Sequence, residues 1–297
     1  MISGKGGTGK TSVVASFAAL ARQAVLADCD VDAADLHIVL EPRVLHREDF
    51  SGGKVARIDP AKCTCCGACE AACRFGAVLT VEAPDGGEQR CYSIDELACE
   101  GCGVCAWFCP EKAVDMIEAV NGEWYISETR HGPMAHARLN PGGENSGKLV
   151  TVVREKAREL AKERGSELII CDGSPGIGCP VIASLTGADM ALVVTEPTAS
   201  GSHDLERVAD LTAHFDIPTA VCINKHDLNP EITAKIEARA EERGIKVLGR
   251  ICYDTAITEA QMRRLSTVEH SDGAASREIK ELWERAAREL EIPAEGR

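Results

Sequence analysis

Basic charge is scarce in this chain. Its 297 residues hold 33 Lys and Arg against 47 Asp and Glu, a formal net charge of −14. Non-specific binding to nucleic acid or to acidic lipid needs a basic surface, so neither is expected as a partner. No run approaches the roughly 18–20 apolar residues that a membrane-spanning helix requires, so membrane insertion is not expected either. No signal-peptide pattern is visible before a glycine-rich loop that starts by residue 3, and a cytoplasmic location is expected. The eight histidines show no ligand spacing. His37, His203 and His226 fall near expected loop ends and read as surface or core residues.

Cysteine, by contrast, is abundant. Ten of the fifteen cysteines lie between Cys63 and Cys109. In a secreted chain such a density would mean disulfides. No signal-peptide pattern marks this chain as secreted, so metal binding is the better reading.

Short apolar runs ending at polar or turn residues predict buried parallel strands at 24–30, 167–172, 188–196, 219–224 and 245–251. Helical patterns separate them at 11–23, 149–164, 202–214, 230–243 and 276–290. This alternation predicts an α/β fold, a doubly wound parallel sheet. The pattern breaks between about residues 42 and 147, an interval with the cysteines, the turn APDGGEQ (83–89) and the stretch NPGGENSGK. The expected organisation is an α/β domain at 1–57 and 120–297, interrupted by a small α+β domain at 58–119. Only Met1 and Ile2 precede the glycine-rich loop, so its strand is either cut short or its start is misassigned.

Gly4-Lys5-Gly6-Gly7-Thr8-Gly9-Lys10-Thr11, followed by Ser12, fits the phosphate-binding pattern G-x-x-x-x-G-K-[ST]. Glycines allow backbone N–H groups to close around the β-phosphate of ATP or ADP. Lys10 neutralises the β- and γ-phosphates, and the Thr11 hydroxyl holds Mg²⁺. The helix that follows adds its positive end.

With its second lysine, Lys5, the loop resembles the deviant Walker A of the MinD, ParA, Mrp and nitrogenase iron protein group. The resemblance implies a nucleotide-sandwich dimer in which Lys5 reaches the partner's phosphates. The dimer could be a homodimer or a heterodimer with a paralogue. LADCDVDAADLHIVL resembles the group's first switch, which makes Asp30 the residue that positions the attacking water. Asp28 lies beside it at the strand end. Asp28 and Asp32 also read as solvated turn carboxylates. IICDGSPGIG resembles the second switch, with Asp172 as the Walker B aspartate, and Asn224 matches the asparagine that contacts adenine.

Cys63, Cys66, Cys69 and Cys73 are spaced C-x₂-C-x₂-C-x₃-C, and Cys99, Cys102, Cys105 and Cys109 repeat the spacing. This is the run of bacterial two-cluster ferredoxins, in which the fourth cysteine ligates the other cluster. One [4Fe–4S] cluster would take Cys63, Cys66, Cys69 and Cys109. The other would take Cys99, Cys102, Cys105 and Cys73. Structural zinc, the alternative, more often pairs two separated C-x₂-C units. Arg74 stands where such a run usually has proline. Cys65 and Cys91 lie outside the pattern and read as spare.

The whole resembles MinD-superfamily P-loop ATPases with an inserted ferredoxin domain. NSGKLV (145–150) and GIGCPV (176–181) are similar to that subfamily too. The leading expectation is a slow, partner-stimulated ATPase that couples nucleotide state to electron transfer with an unidentified redox or iron–sulfur partner. The alternative is iron–sulfur or metallocofactor assembly, and a spatial organiser of the MinD or ParA kind ranks behind both. Cys179, just past the second switch, reads either as a small buried residue at a helix start or as a ligand of a cluster shared between subunits. Cys29, Cys171, Cys222 and Cys252 read as core packing. The last helix carries Ile279, Leu282, Trp283, Ala286 and Leu290 on one face and several glutamates elsewhere. That composition favours docking on its own domain over a membrane.

Overall fold

The computed structural model describes residues 1–21, 23–82, 90–143 and 146–292. The expected turn at 83–89 lies outside the described residues. So do Arg22, within the expected helix 11–23, and Asn145, which opens NSGKLV.

The chain forms two compact units. The larger comprises Met1–Glu48, Trp124–Arg138 and Ser146–Arg297, and the smaller comprises Asp49–Glu123 and Leu139–Asn145. The smaller unit is therefore wider than the expected 58–119. Two of its boundaries fall within long strands, β2 (Arg43–Ile58) and β5 (Val114–Thr129), rather than in loops.

In chain order the first elements are α1 (Lys10–Leu20), β1 (Val25–Asp28), α2 (Leu36–Leu40), β2 (Arg43–Ile58), α3 (Ala68–Ala72), β3 (Val78–Glu82) and β4 (Arg90–Ile94). There follow α4 (Val104–Phe108), β5 (Val114–Thr129), β6 (Gly132–Leu139), α5 (Ser146–Arg164), β7 (Ile169–Asp172), α6 (Cys179–Leu185) and β8 (Ala191–Thr195). The last are α7 (Ala199–His214), β9 (Thr219–Asn224), α8 (Pro230–Glu242), β10 (Lys246–Ile251), α9 (Thr255–Met262), α10 (Thr267–His270) and α11 (Ala274–Glu289).

In the larger unit, β1 lies between β6 and β7, parallel to both, with Asp28 level with Asp172. β8, β9 and β10 form a second parallel set. Residues 1–3 run between the two sets. The Met1 ammonium donates to the Cys171 carbonyl at 2.6 Å, and Ile2 N–H donates to the Leu192 carbonyl at 3.0 Å. Ile2 also bridges Val193 in parallel. Short as it is, this segment holds the place of the strand that feeds a phosphate-binding loop.

One strand escapes the sequence pattern. β6 is buried along most of its length, yet PMAHA carries no β-branched residue, so neither alternation nor propensity marks it. It follows β5 after the turn Arg130-His131, and Arg130 fastens that turn to the Glu269 carboxylate at 2.8 Å and to the Val39 carbonyl at 3.1 Å.

Helix α1 has eight buried residues and packs beside α11, where Phe17 meets Trp283 edge-on with ring centroids 5.1 Å apart. Ile279, Leu282, Trp283 and Ala286 of α11 are buried. The smaller unit is built from the antiparallel hairpin β3–β4 and the short helices α3 and α4. Its core cluster consists of Ala56, Cys69, Val78, Cys105 and Val114.

Candidate functional site

The phosphate-binding loop is braced from behind. Asn224, at the end of β9, donates its amide N–H to the Thr8 carbonyl at 2.8 Å. Gly9 has a φ of +88°, and a Cβ there would meet the Asn224 amide nitrogen at 2.3 Å, so both conformation and space require glycine. Asn224 is buried, and its carbonyl oxygen accepts from Lys225 N–H. In this structure it supports the loop. Ser12, in the first turn of α1, accepts a hydrogen bond from the Gln261 amide at 2.8 Å, a partner 249 residues away that local pattern could not signal.

Lys10 is buried, hydrogen-bonded to the Asp172 carboxylate and 3.7 Å from Asp30. Burial alone would lower its pKa, but Asp172 and Asp30 outweigh it and the net direction is up. Asp30 is pushed up to about 6, by burial first and then by the Asp172 charge, against the pull of Lys10. Asp28 is fully buried, and burial followed by the neighbouring Asp172 raises it well above the carboxylate range. The solvated-turn reading of Asp28 is thereby corrected: β1 carries it under the loop, whereas Asp32 is exposed.

Three carboxylates thus converge around one ammonium. Asp28 Oδ2, Asp172 Oδ2 and Thr8 Oγ1 are buried without a hydrogen-bond partner. Orphaned oxygens in an acidic pocket suit a hard divalent cation such as Mg²⁺. Thr11 lies at the start of α1, where its hydroxyl could serve the same ion.

Lys5 is engaged within its own unit. Its ammonium lies 2.6 Å from Glu196 and donates to Ser200 Oγ at 3.1 Å. Glu196 also pairs with Lys225 at 3.1 Å. Although burial alone would raise it, the two lysines hold the Glu196 carboxyl below its usual range. The motif gave no sign of this carboxylate.

Behind the site, Cys171 does more than pack. Arg154 Nη1 donates to its sulfur at 3.2 Å and to the Ser184 carbonyl at 2.7 Å. The Cys171 thiol is drawn down to about 6, by its hydrogen bond with Cys29 first and by Arg154. Cys29 and Cys222 are buried. Cys179 is exposed at the start of α6, which corrects the reading of it as a small buried residue.

In the smaller unit, Cys63, Cys66, Cys69 and Cys109 line one small cavity. Cys99, Cys73 and Cys109 pack against the core cluster that contains Cys69 and Cys105. Gly67 and Gly103, each just after the second cysteine of its run, have φ of +80° and +74° and turn the chain into α3 and α4. Backbone N–H groups are aimed at sulfur: Ala56 at Cys99 (3.4 Å), Cys65 at Cys63 (3.4 Å) and Ala113 at Cys109 (3.2 Å).

No three His, Cys, Asp or Glu side chains converge as on a single metal ion among the described residues. Ligands of a cubane stand apart around an inorganic core, and thiolates that accept backbone N–H bonds are suited to it. The donor set therefore fits iron–sulfur clusters. Cys65 and Cys91 are not spare: they are joined in a disulfide, with Cα atoms 4.7 Å apart.

Residues 1–268 match the family described as the CobQ/CobB/MinD/ParA nucleotide binding domain. The chain is 31% identical over 295 residues to uncharacterized protein MJ0578 of Methanocaldococcus jannaschii, covering 96% of this chain and 94% of that one. A second protein of that organism, uncharacterized protein MJ0579, is 26% identical over 151 residues, about half of each chain. Among solved structures, the septum site-determining protein MinD with Mg-ADP from Pyrococcus horikoshii is similar. Its TM-score is 0.55 at 15% identity, over 97% of this chain and 95% of that one.

Proposed function

Because the chain belongs to the CobQ/CobB/MinD/ParA nucleotide-binding family, we propose that it is a MgATP-hydrolysing, dimer-forming iron–sulfur protein in which nucleotide state governs electron transfer. The observation that carries this reading is the cavity that Cys109 shares with Cys63, Cys66 and Cys69. Two interleaved four-cysteine runs predict that pairing, and two separate zinc sites do not.

In the nucleotide site the loop N–H groups receive the β-phosphate, and Lys10 leaves Asp172 for the β- and γ-phosphates. Thr11 and Asp172 would hold Mg²⁺, which would screen phosphate charge. Asp30, relieved of Lys10, orients the water that attacks the γ-phosphate. Lys5 exchanges Glu196 for the phosphates of the partner subunit, either a second copy or a paralogue.

Two [4Fe–4S] clusters would supply one-electron carriage. Cys63, Cys66, Cys69 and Cys109 would hold one, and Cys99, Cys102, Cys105 and Cys73 the other. The N–H groups of Ala56, Cys65 and Ala113 offset charge on the sulfurs. The partner is a redox or iron–sulfur protein. Cluster assembly is the second reading, because the exposed Cys179 offers a thiol outside the two runs.

Anaerobic purification tests the reading, with about eight iron and eight sulfide expected per chain. Redox titration follows without nucleotide, with ADP and with a non-hydrolysable ATP analogue. A tenfold coupling shifts a one-electron midpoint by about 59 mV. Zinc without iron overturns the cluster assignment. Full iron with identical midpoints overturns thermodynamic coupling and moves assembly ahead.

A further inference from the structure

Cys65 sits inside the first cysteine run, between Cys63 and Cys66, and is bonded to Cys91 on β4. Its backbone N–H points at Cys63 Sγ, 3.4 Å away. Its φ of +55° is the left-handed region, which a non-glycine residue occupies only when its surroundings impose it. The pair opens onto a cavity of about 330 Å³, lined also by Cys63, Arg57 and Tyr92. The two residues are unequal in exposure: Cys65 is half-buried and Cys91 is buried. In the cytoplasmic location expected from the sequence, disulfides are more often catalytic than purely structural.

We propose that Cys65 and Cys91 are a catalytic dithiol–disulfide pair that reduces small organic disulfides entering this cavity, recharged by electrons arriving on the Cys63 side. The recharging step rests on the cluster reading above.

The chemistry balances. The Cys65–Cys91 bond accepts two electrons and two protons to become two thiols. A one-electron, ferredoxin-type donor supplies the electrons, and two one-electron sites match the count of two. The accessible Cys65 thiolate attacks one sulfur of the substrate, forming a mixed disulfide and releasing one thiol. Cys91 thiolate then attacks Cys65 Sγ, releasing the second thiol and restoring the bond. The protons of the two cysteines leave with the two products.

The test uses full-length protein prepared anaerobically. It is reduced with excess methyl viologen radical, mixed with cystine, then alkylated and mapped by mass spectrometry. Cys65 and Cys91 are expected to be alkylated after reduction and bonded again after cystine, with two cysteines released per chain. In Cys91→Ser the substrate is expected to stay trapped as a mixed disulfide on Cys65. In Cys65→Ser, which keeps all eight run cysteines, viologen-driven cystine reduction is expected to fall at least fifty-fold with iron content unchanged.

Two failures are distinct. If the protein lacks iron but exchanges with cystine after reduction by dithiothreitol, the cluster reading falls and the thiol pair stands. If iron is present and Cys91→Ser carries no adduct on Cys65, or the wild-type bond resists reduced viologen, this proposal is overturned.

Discussion

The larger unit buries apolar side chains in two clusters, one around Phe17, Leu26, Leu282 and Trp283, the other around Val193, Val221 and Ile236. No residue of its nucleotide loop, 4–11, belongs to either cluster. In the smaller unit, two of the five residues of the core cluster are Cys69 and Cys105, and three more cysteines of the runs, Cys73, Cys99 and Cys109, pack against it together with Tyr92 of the hairpin. Phe75, Leu97, Trp107 and Phe108 are left exposed. Chemistry and folding are separable in the first unit. In the second, on the proposed cluster reading, the same cysteines would serve both, as in small domains whose core cannot sustain them without a metal or cross-link.

The sharpest way to break this contrast is to remove metal. Chelation of iron from the intact chain is expected to abolish protease resistance across 49–123 while the larger unit keeps its helical signal and its resistance. Limited proteolysis with mass mapping reads both at once. Equal loss in the two units would show that they do not differ in what holds them.

A smaller effect tests the contrast from the other side. Leu282 is fully buried against α1 and β10. Leu282→Ala is expected to cost about 3–4 kcal/mol in the larger unit, the usual penalty for a deleted core side chain. Iron content should not change. Urea unfolding followed by far-ultraviolet circular dichroism measures the first, and metal analysis the second.

The smallest effect concerns acid. His136 on β6 accepts or donates a hydrogen bond with Ser127 Oγ at 2.8 Å, stacks on Tyr125, and is pushed down to about 4, by burial first and then by His37. Its ring is neutral in the fold but charges near 6.5 when unfolded. The unfolded state therefore binds more protons between those values, and stability falls as pH drops from about 6.5 to 4. The loss is on the order of 2 kcal/mol once partial solvation is allowed for. His136→Gln should flatten the urea midpoint over that window relative to wild type, and an unchanged slope would assign the acid sensitivity elsewhere.

The strands β1, β7, β8, β9 and β10 and the helices α1, α5, α7, α8 and α11 were legible because each is a local pattern, whereas α6, only seven residues long, was not. The phosphate loop and both cysteine runs were legible too, because their spacing is itself the signal. β6 was not legible, because a strand buried in a sheet by its neighbours needs no alternation of its own. The extent of the smaller unit was misjudged for a related reason: β2 and β5 continue through its boundaries without a break in composition.

What the sequence alone determined is the chemical inventory: a lysine-bearing glycine loop, two interleavable sets of four thiols, and alternation sufficient for a parallel sheet. Tertiary structure decided who meets whom. It set Glu196 against Lys5, Asn224 and Gln261 behind the phosphate loop, Asp28 in the acidic pocket rather than in solvent, and Cys65 against Cys91. Those partners lie 26 to 249 residues apart. Backbone propensity acts over a few residues, whereas such contacts exist only after the sheet and hairpin have closed the long loops between them.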